Sequence, residues 1–300
     1  MAWAERFEKR TWAVEAAGGW GYLVSQQLAE AGEEVLDVPA TLAARVRLLG
    51  TGRSNKNDPN DARSVAIAAM RAPNLAGVER SDHAGVLRLL AKRNLDLGRS
   101  RNRTANRLHA LLAELVAGGI PSEINASSAQ RVLDTVAPRS PIEAARKSLA
   151  LEHLDDLRRL DDQMRESKAR IKTAVAASST RLTELFGVGP VVAAMSIGYA
   201  GDVRRFRSRH HFASYTGTAP IEVSSGGRVV HRLSRRGNRQ LNHAIHIAAI
   251  SQIRHRHSEG RAYYERKLAE GKTKKEAIRS LKRRISDAIY RQLLAETTGR

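Results

Sequence analysis

The stretch from Thr11 to Pro39 reads TWAVEAAGGWGYLVSQQLAEAGEEVLDVP. Its first run, Thr11 to Ala16, is short and β-prone, and Gly18-Gly19 closes it. A helix pattern follows from Trp20 to Ala31 and stops at Gly32, a residue suited to the left-handed cap that ends helices. EVLDVP, Glu34 to Pro39, is a second short strand. A strand–helix–strand unit of this length predicts a parallel pair in an α/β sheet. Downstream, RSNKNDPNDA (Arg53 to Ala62) leads into a helix from about Pro59 to Met70. Asp58 is placed to cap it and Pro59 to open it, since proline has no N–H to leave unbonded there.

Three acids around this unit invite a chemical reading: Glu15 at the end of the first strand, and Asp58 and Asp61 at the start of the later helix. Side chains three apart on a helix are neighbours, so Asp58 and Asp61 can address one point. Carboxylates packed that closely repel unless a cation neutralises them, and Mg²⁺ suits an all-oxygen site. Metal-dependent nucleases use such clusters. The competing reading needs no metal, because acids in the first helical turn are stabilising in themselves.

From Ser81 to about Gly118 the pattern is helical, free of proline, and basic, with seven bases against one acid between Arg88 and Arg107. A break at Pro121 and a small-residue linker follow. A second long helix is expected from Pro141 to about Ala177, with six acids against three bases between Glu152 and Glu166. Two long helices of opposite charge fit an antiparallel coiled-coil arm or a dimer contact, and equally an ordinary helical hairpin. Ser127-Ser128 and Ser178-Ser179 read as linker or cap residues.

Gly187-Val188-Gly189-Pro190 lies between apolar helical stretches and resembles a helix–hairpin–helix turn. In such a turn backbone N–H groups meet a phosphate at a helix N-terminus. A plain helix break has the same letters. Beyond it, Ser224 and Ser225 precede a Gly226-Gly227 turn, followed by Arg228, Arg232, Arg235, Arg236 and Arg239. Glycines permit a tight loop that presents a side chain at its tip. Guanidinium groups supply planar donors for phosphate oxygens, so a serine beside them is suited to attack on a phosphodiester. A hairpin with a solvated basic rim is the alternative. His243 and His246 could share a helix face, but zinc would need two further ligands and the chain has no cysteine. Helices from Asn238 to about His255, Arg261 to Ala269 and Lys274 to Ala295 complete the pattern.

The 300 residues suffice for two or more domains, and 51 Lys and Arg against 31 Asp and Glu give a net charge of +20. Such an excess opposes folding through self-repulsion and therefore points to a polyanionic partner, nucleic acid before membrane. No apolar run approaches the ~20 residues of a membrane span, and no secretory signal is seen. A cytoplasmic, nucleoid-associated setting is expected, without disulfides.

Four blocks, in order, carry a resemblance over nearly the whole chain: WAVEAAGGWG (Trp12–Gly21), KNDPNDA (Lys56–Ala62), LFGVGPVVAAMSIGYAGDVRRF (Leu185–Phe206) and FASYTGTAPIEVSSGGRVVHRLSRRGNRQLNHAI (Phe212–Ile245). Together they resemble the insertion-sequence 110 family of transposases, relatives of the Piv DNA invertases. The resemblance implies an α/β plus all-α architecture. A partial RuvC-like (RNase H fold) domain would span 1–78 and a helical coiled-coil arm 79–178. A mostly helical C-terminal transposase domain, with the helix–hairpin–helix-like segment, would span 179–300. It implies a DEDD carboxylate set in which Glu15, Asp58 and Asp61 match three members, with Mg²⁺ as cofactor. Ser225 matches the serine that links covalently to DNA. It further implies DNA and a guide RNA as partners, and a homo-oligomer. The fourteen residues before Glu15 contain no aspartate, so an N-terminally truncated member with three of the four carboxylates is expected. Two alternatives stand beside this reading: a Holliday-junction-type nuclease using only the carboxylates, and a non-catalytic nucleic-acid binder.

Overall fold

The computed structural model describes residues 4–49, 57–80, 83–225, 228–233 and 237–298, of which 222–225, 228–233 and 298 are described by backbone alone. The chain divides into two compact units, Met1–Asp82 and His83–Arg300. It is mostly helical with a small mixed sheet, in agreement with the α/β-plus-helical expectation.

In the first unit, β1 (Thr11–Glu15) and β2 (Glu34–Val38) run parallel, with Thr11 opposite Glu34 and Glu15 opposite Val38. The crossover is α1 (Tyr22–Glu30). Gly21 makes the tight entry into α1 possible: a Cβ there would stand 2.5 Å from Val14 Cγ1 and 2.8 Å from the Glu15 carbonyl oxygen. A two-residue strand, β3 (Ala76–Gly77), pairs antiparallel with β2, giving the order β1-β2-β3. Two helices, α2 (Ala40–Leu49) and α3 (Asp58–Arg71), bury Ala43, Val65 and Ala68 against Val38 in a small core. Trp12 Nε1 and Arg10 Nε both donate to Glu33 Oε2, at 2.9 and 2.8 Å, and tie β1 to the start of β2.

Two local expectations change here. The stretch between Pro39 and the later helix, which reads as loop in the sequence, holds a helix because Ala43 and its neighbours Leu42 and Val46 close the core over β2. The cap of α3 is Asn57, whose backbone is extended and whose Oδ1 accepts from the Asn60 N–H at 2.9 Å; Asp58 is already inside the helix.

In the second unit, α4 (His83–Leu115) and α6 (Pro141–Ala177) lie antiparallel. The start of α4 (Leu87, Ala91) packs with the end of α6 (Ile171, Val175), and its end (Leu108, Leu112) with Ala150, Leu154 and Leu157. At 1.5 Å per residue α4 is about 50 Å long. The interval taken for a linker holds α5 (Ala126–Thr135), which inserts Ala129 and Leu133 into the distal core. Asn125 and Ser128 cap α5 reciprocally, Ser128 standing where Glu or Gln is usual. The acidic run of α6 mostly serves its own helix, in Asp155–Arg158, Asp156–Arg159 and Asp162–Arg165 pairs. Asp161 crosses to Arg101 of α4.

The inner ends of α4 and α6 share one core with the remaining helices. At its centre lies α7 (Pro190–Ala200), buried on nearly every side. Gly198 is the point where α4 crosses it, since a Cβ would lie 2.6 Å from the Arg88 backbone nitrogen. Around α7 stand α8 (Arg209–Tyr215), α9 (Arg239–Arg254), α10 (Glu259–Ala269) and α11 (Lys274–Thr298). Between α8 and α9 the chain forms an antiparallel pair, β4 (Pro220–Ser225) and β5 (Arg228–Leu233).

Candidate active site

Ser225 ends β4 and pairs with Arg228; Ser224 pairs with Val229 and Ile221 with Arg232. Gly226, Gly227, Arg235 and Arg236 lie outside the described residues, and the side chains of Ser225, Arg228 and Arg232 are likewise outside them. Arg239 is the first residue of α9 and is exposed.

What the structure adds is the mount of this hairpin. On the entry side, the N–H groups of Thr218 and Ala219 donate to the Ala213 carbonyl at 2.9 and 3.0 Å. On the exit side, Asn238 N–H donates to the Tyr215 carbonyl at 2.6 Å and Asn238 Nδ2 to the Tyr215 hydroxyl at 3.1 Å. Gly237, at φ +103°, lies so close to α8 that a Cβ would meet the Tyr215 carbonyl oxygen at 2.5 Å. Arg205 stacks over Phe206 and Tyr215 at 4.4 and 4.6 Å and braces the same corner from below.

A buried polar chain then ties the entry to α9 and α11. Asn242 Nδ2 donates to the carbonyls of Thr216 and Gly217 at 2.8 and 3.1 Å, while Asn242 Oδ1 accepts from Lys282 Nζ at 2.6 Å. Thr216 Oγ1 and Ser286 Oγ, both fully buried, are 3.2 Å apart. Burial holds the Lys282 pKa down at about 8. Asn242, Thr216 and Ser286 did not stand out in the sequence; Lys282 lies in the run from Arg266 to Arg284, nine bases and two acids, which reads as a phosphate-contacting face or, in isolation, a solvated one. The available signal was in α11, where Lys282 and Ser286 interrupt the stripe formed by Ala277, Leu281, Ile285 and Ile289.

His243 and His246 share α9 with this network. Burial, aided by Arg99 and Lys282 for the first and by Lys282 for the second, lowers both below the ordinary histidine range. At the other proposed DNA-binding point, Gly187 has φ +82° and faces α9, where a Cβ would meet the Ala248 carbonyl oxygen at 2.8 Å. Gly189 is exposed and caps α7. The element before this turn is a three-residue 3₁₀ turn, Leu182–Glu184, so the helix–hairpin–helix likeness is confined to the turn and α7.

Glu15 ends β1, while Asp58 and Asp61 begin α3, which packs on β1. Asp61 is bonded to the Arg47 guanidinium of α2, and Asp58 is exposed. Among the described residues no group of three or more His, Asp or Glu side chains is placed to hold a metal ion. The cluster therefore does not fit Mg²⁺ in this arrangement: one carboxylate already has an internal cation. Nor, among those residues, is any helix long and apolar enough to cross a membrane.

Comparison with known proteins sets the class first. Residues 1–117 match a domain model described as a transposase, and residues 179–265 a second, described as the transposase IS116/IS110/IS902 family. Between them they take in more than half of the chain. The protein of 43.6 kDa from insertion element IS110 of Streptomyces coelicolor is 28% identical, over 88% of this chain and 76% of its own length. The 44.8 kDa protein from insertion element IS116 of Streptomyces clavuligerus is 27% identical, over 96% of this chain and 83% of its own. The chain belongs to the IS116/IS110/IS902 family of transposases.

Proposed function

We propose that this transposase cuts and rejoins DNA with Ser225 as nucleophile, at the end of a strand whose partner carries arginines. The observation that carries the reading is the hairpin register. Strand positions alternate, so Ser225, its partner Arg228 and the later Arg232 belong to one alternate set, and Ser224 to the other. Serine Oγ forms an ester bond to phosphorus as the bond from phosphorus to one bridging oxygen breaks. That strand end leaves as an alcohol, taking up the proton the serine gives up. The reverse step rejoins a strand and frees the serine. Fixed guanidinium groups stabilise the charge that grows on the phosphate oxygens.

The first unit would act as the RuvC-like domain (1–78), the α4–α6 pair as a coiled-coil arm (79–178), and the remainder as the transposase domain (179–300). Glu15, Asp58 and Asp61 would serve as a Mg²⁺ site only in a state where Arg47 has released Asp61. Arg228, Arg232, Arg235, Arg236 and Arg239, with the backbone at Gly187 and Gly189, would hold DNA. A guide RNA would select the target, and a homo-oligomer would bring Ser225 of one copy to the acids of another. The net charge of +20 supports polyanionic partners of this kind.

The test is a denaturant-resistant protein–DNA adduct formed on supercoiled DNA that bears the element's ends. Ser225→Ala is expected to abolish it and Ser224→Ala to retain it. An adduct surviving Ser225→Ala overturns the reading, and cleavage without any adduct in the unaltered chain returns the carboxylate nuclease.

A further inference from the structure

Beside the entry to β4 the second unit holds a cavity of about 410 Å³. Its lining takes in Gly217 to Pro220 and, with them, Tyr263, Lys272, Arg279, Lys282 and Arg283, with Glu276 as the single acid. The volume is that of a small-ligand site. Its chemistry is cationic. Glu276 is committed elsewhere, since its Oε2 accepts from Thr273 N–H at 2.9 Å and from Thr273 Oγ1 at 2.7 Å, which holds its pKa below the usual carboxylate range. Its nearest cation in the lining, Arg279, is 4.0 Å away. Arg283 is held by Asp287 at 3.0 Å.

Lys282 is the informative residue. It is 9% exposed, and among the described residues its ammonium has an amide oxygen, that of Asn242, as hydrogen-bond acceptor and no carboxylate within salt-bridge distance. An ammonium has three donors and loses solvation on burial, so an anion in the adjoining cavity would meet donors with capacity to spare. Tyr263 does not offer a ring for base stacking, because Arg266, Lys267 and Arg284 lie over it at 5.1, 5.5 and 5.1 Å. The cavity is thus suited to phosphate oxygens and not to a nucleobase.

We propose that this cavity is a subsite for a backbone phosphate of the nucleic-acid strand, held by Lys282, Arg279 and Lys272, about 17 Å along β4 from Ser225. The assignment rests on the transposase reading above and adds to it a second point of grip. Through Asn242 the same lysine anchors Thr216 and Gly217, so a phosphate bound there sits against the foot of the hairpin.

Binding of fluorescein-labelled single-stranded and duplex oligonucleotides to the full chain, measured by anisotropy over a salt series, tests it. Removing one cation that pairs with a phosphate lowers the slope of log affinity against log salt by about 0.7–0.9. Lys272→Gln/Arg279→Gln, both exposed, is expected to lower that slope by between about one and two and to weaken affinity about tenfold. Lys282→Met should lower the slope by about one, with its melting curve recorded to verify folding. In parallel, acetylation of Lys282 is followed by mass spectrometry with the oligonucleotide or with inorganic phosphate present, and both are expected to protect it. Unchanged slopes in both variants, or protection by inorganic phosphate but not by the oligonucleotide, overturns the subsite alone. An unaltered chain that binds no oligonucleotide overturns the transposase reading, and the subsite with it.

Discussion

Lys282 titrates where few lysines do, and the sign of its effect on stability is fixed by that. Its folded pKa of about 8 lies below the ordinary 10.5. Between those values the unfolded chain holds a proton that the folded chain has released, so stability rises with pH across that window. Below pH 8 both forms are protonated and the cost of burying the charge is fully present. The melting temperature of the unaltered chain should therefore climb from pH 8 to 10 relative to Lys282→Met, and parallel profiles would refute this. Asn94 is a smaller instance: its Oδ1 is buried without a hydrogen-bond partner among the described residues. Asn94→Leu should be neutral or stabilise by about 1 kcal/mol in urea denaturation. Gly198→Ala should destabilise by about 1–3 kcal/mol in the same assay, because α4 backbone occupies the space of the new methyl. At this scale the sequence was only partly legible. Ser225 and Arg228 announce themselves as neighbours across a Gly pair, whereas Asn242 and Lys282 are forty residues apart and meet only through packing. Asn57 and Asp58 are both good caps, and only the extended backbone at Asn57 decides between them.

Elements with strong period and clean ends were readable, and α6 matches its expected span because Ser140, Pro141 and Glu143 form a complete start signal. The strands β1 and β2 were readable for the same reason, as β-prone runs closed by glycine or proline. α2 and α5 were not. Each is ten residues long, and each owes its helicity to a core it completes. What holds α4 to α6 can be decided by measurement. Arg101 and Asp161 are each about one-third exposed, so Asp161→Ala should cost less than about 1 kcal/mol. Leu154 is fully buried, and Leu154→Ala should cost about 2–5 kcal/mol. Equal losses in the two variants would show that charge, not packing, joins the pair.

Across the whole molecule, composition said the most. A net charge of +20 on 300 residues predicts DNA affinity that collapses as salt is raised, irrespective of sequence, and a salt-insensitive affinity would contradict it. The small sheet and the helical remainder were both visible in periodicity, and the family blocks fall in both units. The carboxylates were visible as letters but not as partners. That Arg47 of α2 would take Asp61 depends on a helix whose own existence the pattern did not announce.

The hairpin between α8 and α9 is clamped at both feet, by Ala213 and Asn242 on one side and by Tyr215 on the other. From those feet β4 extends six residues, about 20 Å, paired along its length with β5. Swinging the root of the hairpin requires breaking those bonds first. Under the mechanism proposed above, the reach of Ser225 toward a phosphate would be set from that anchored root.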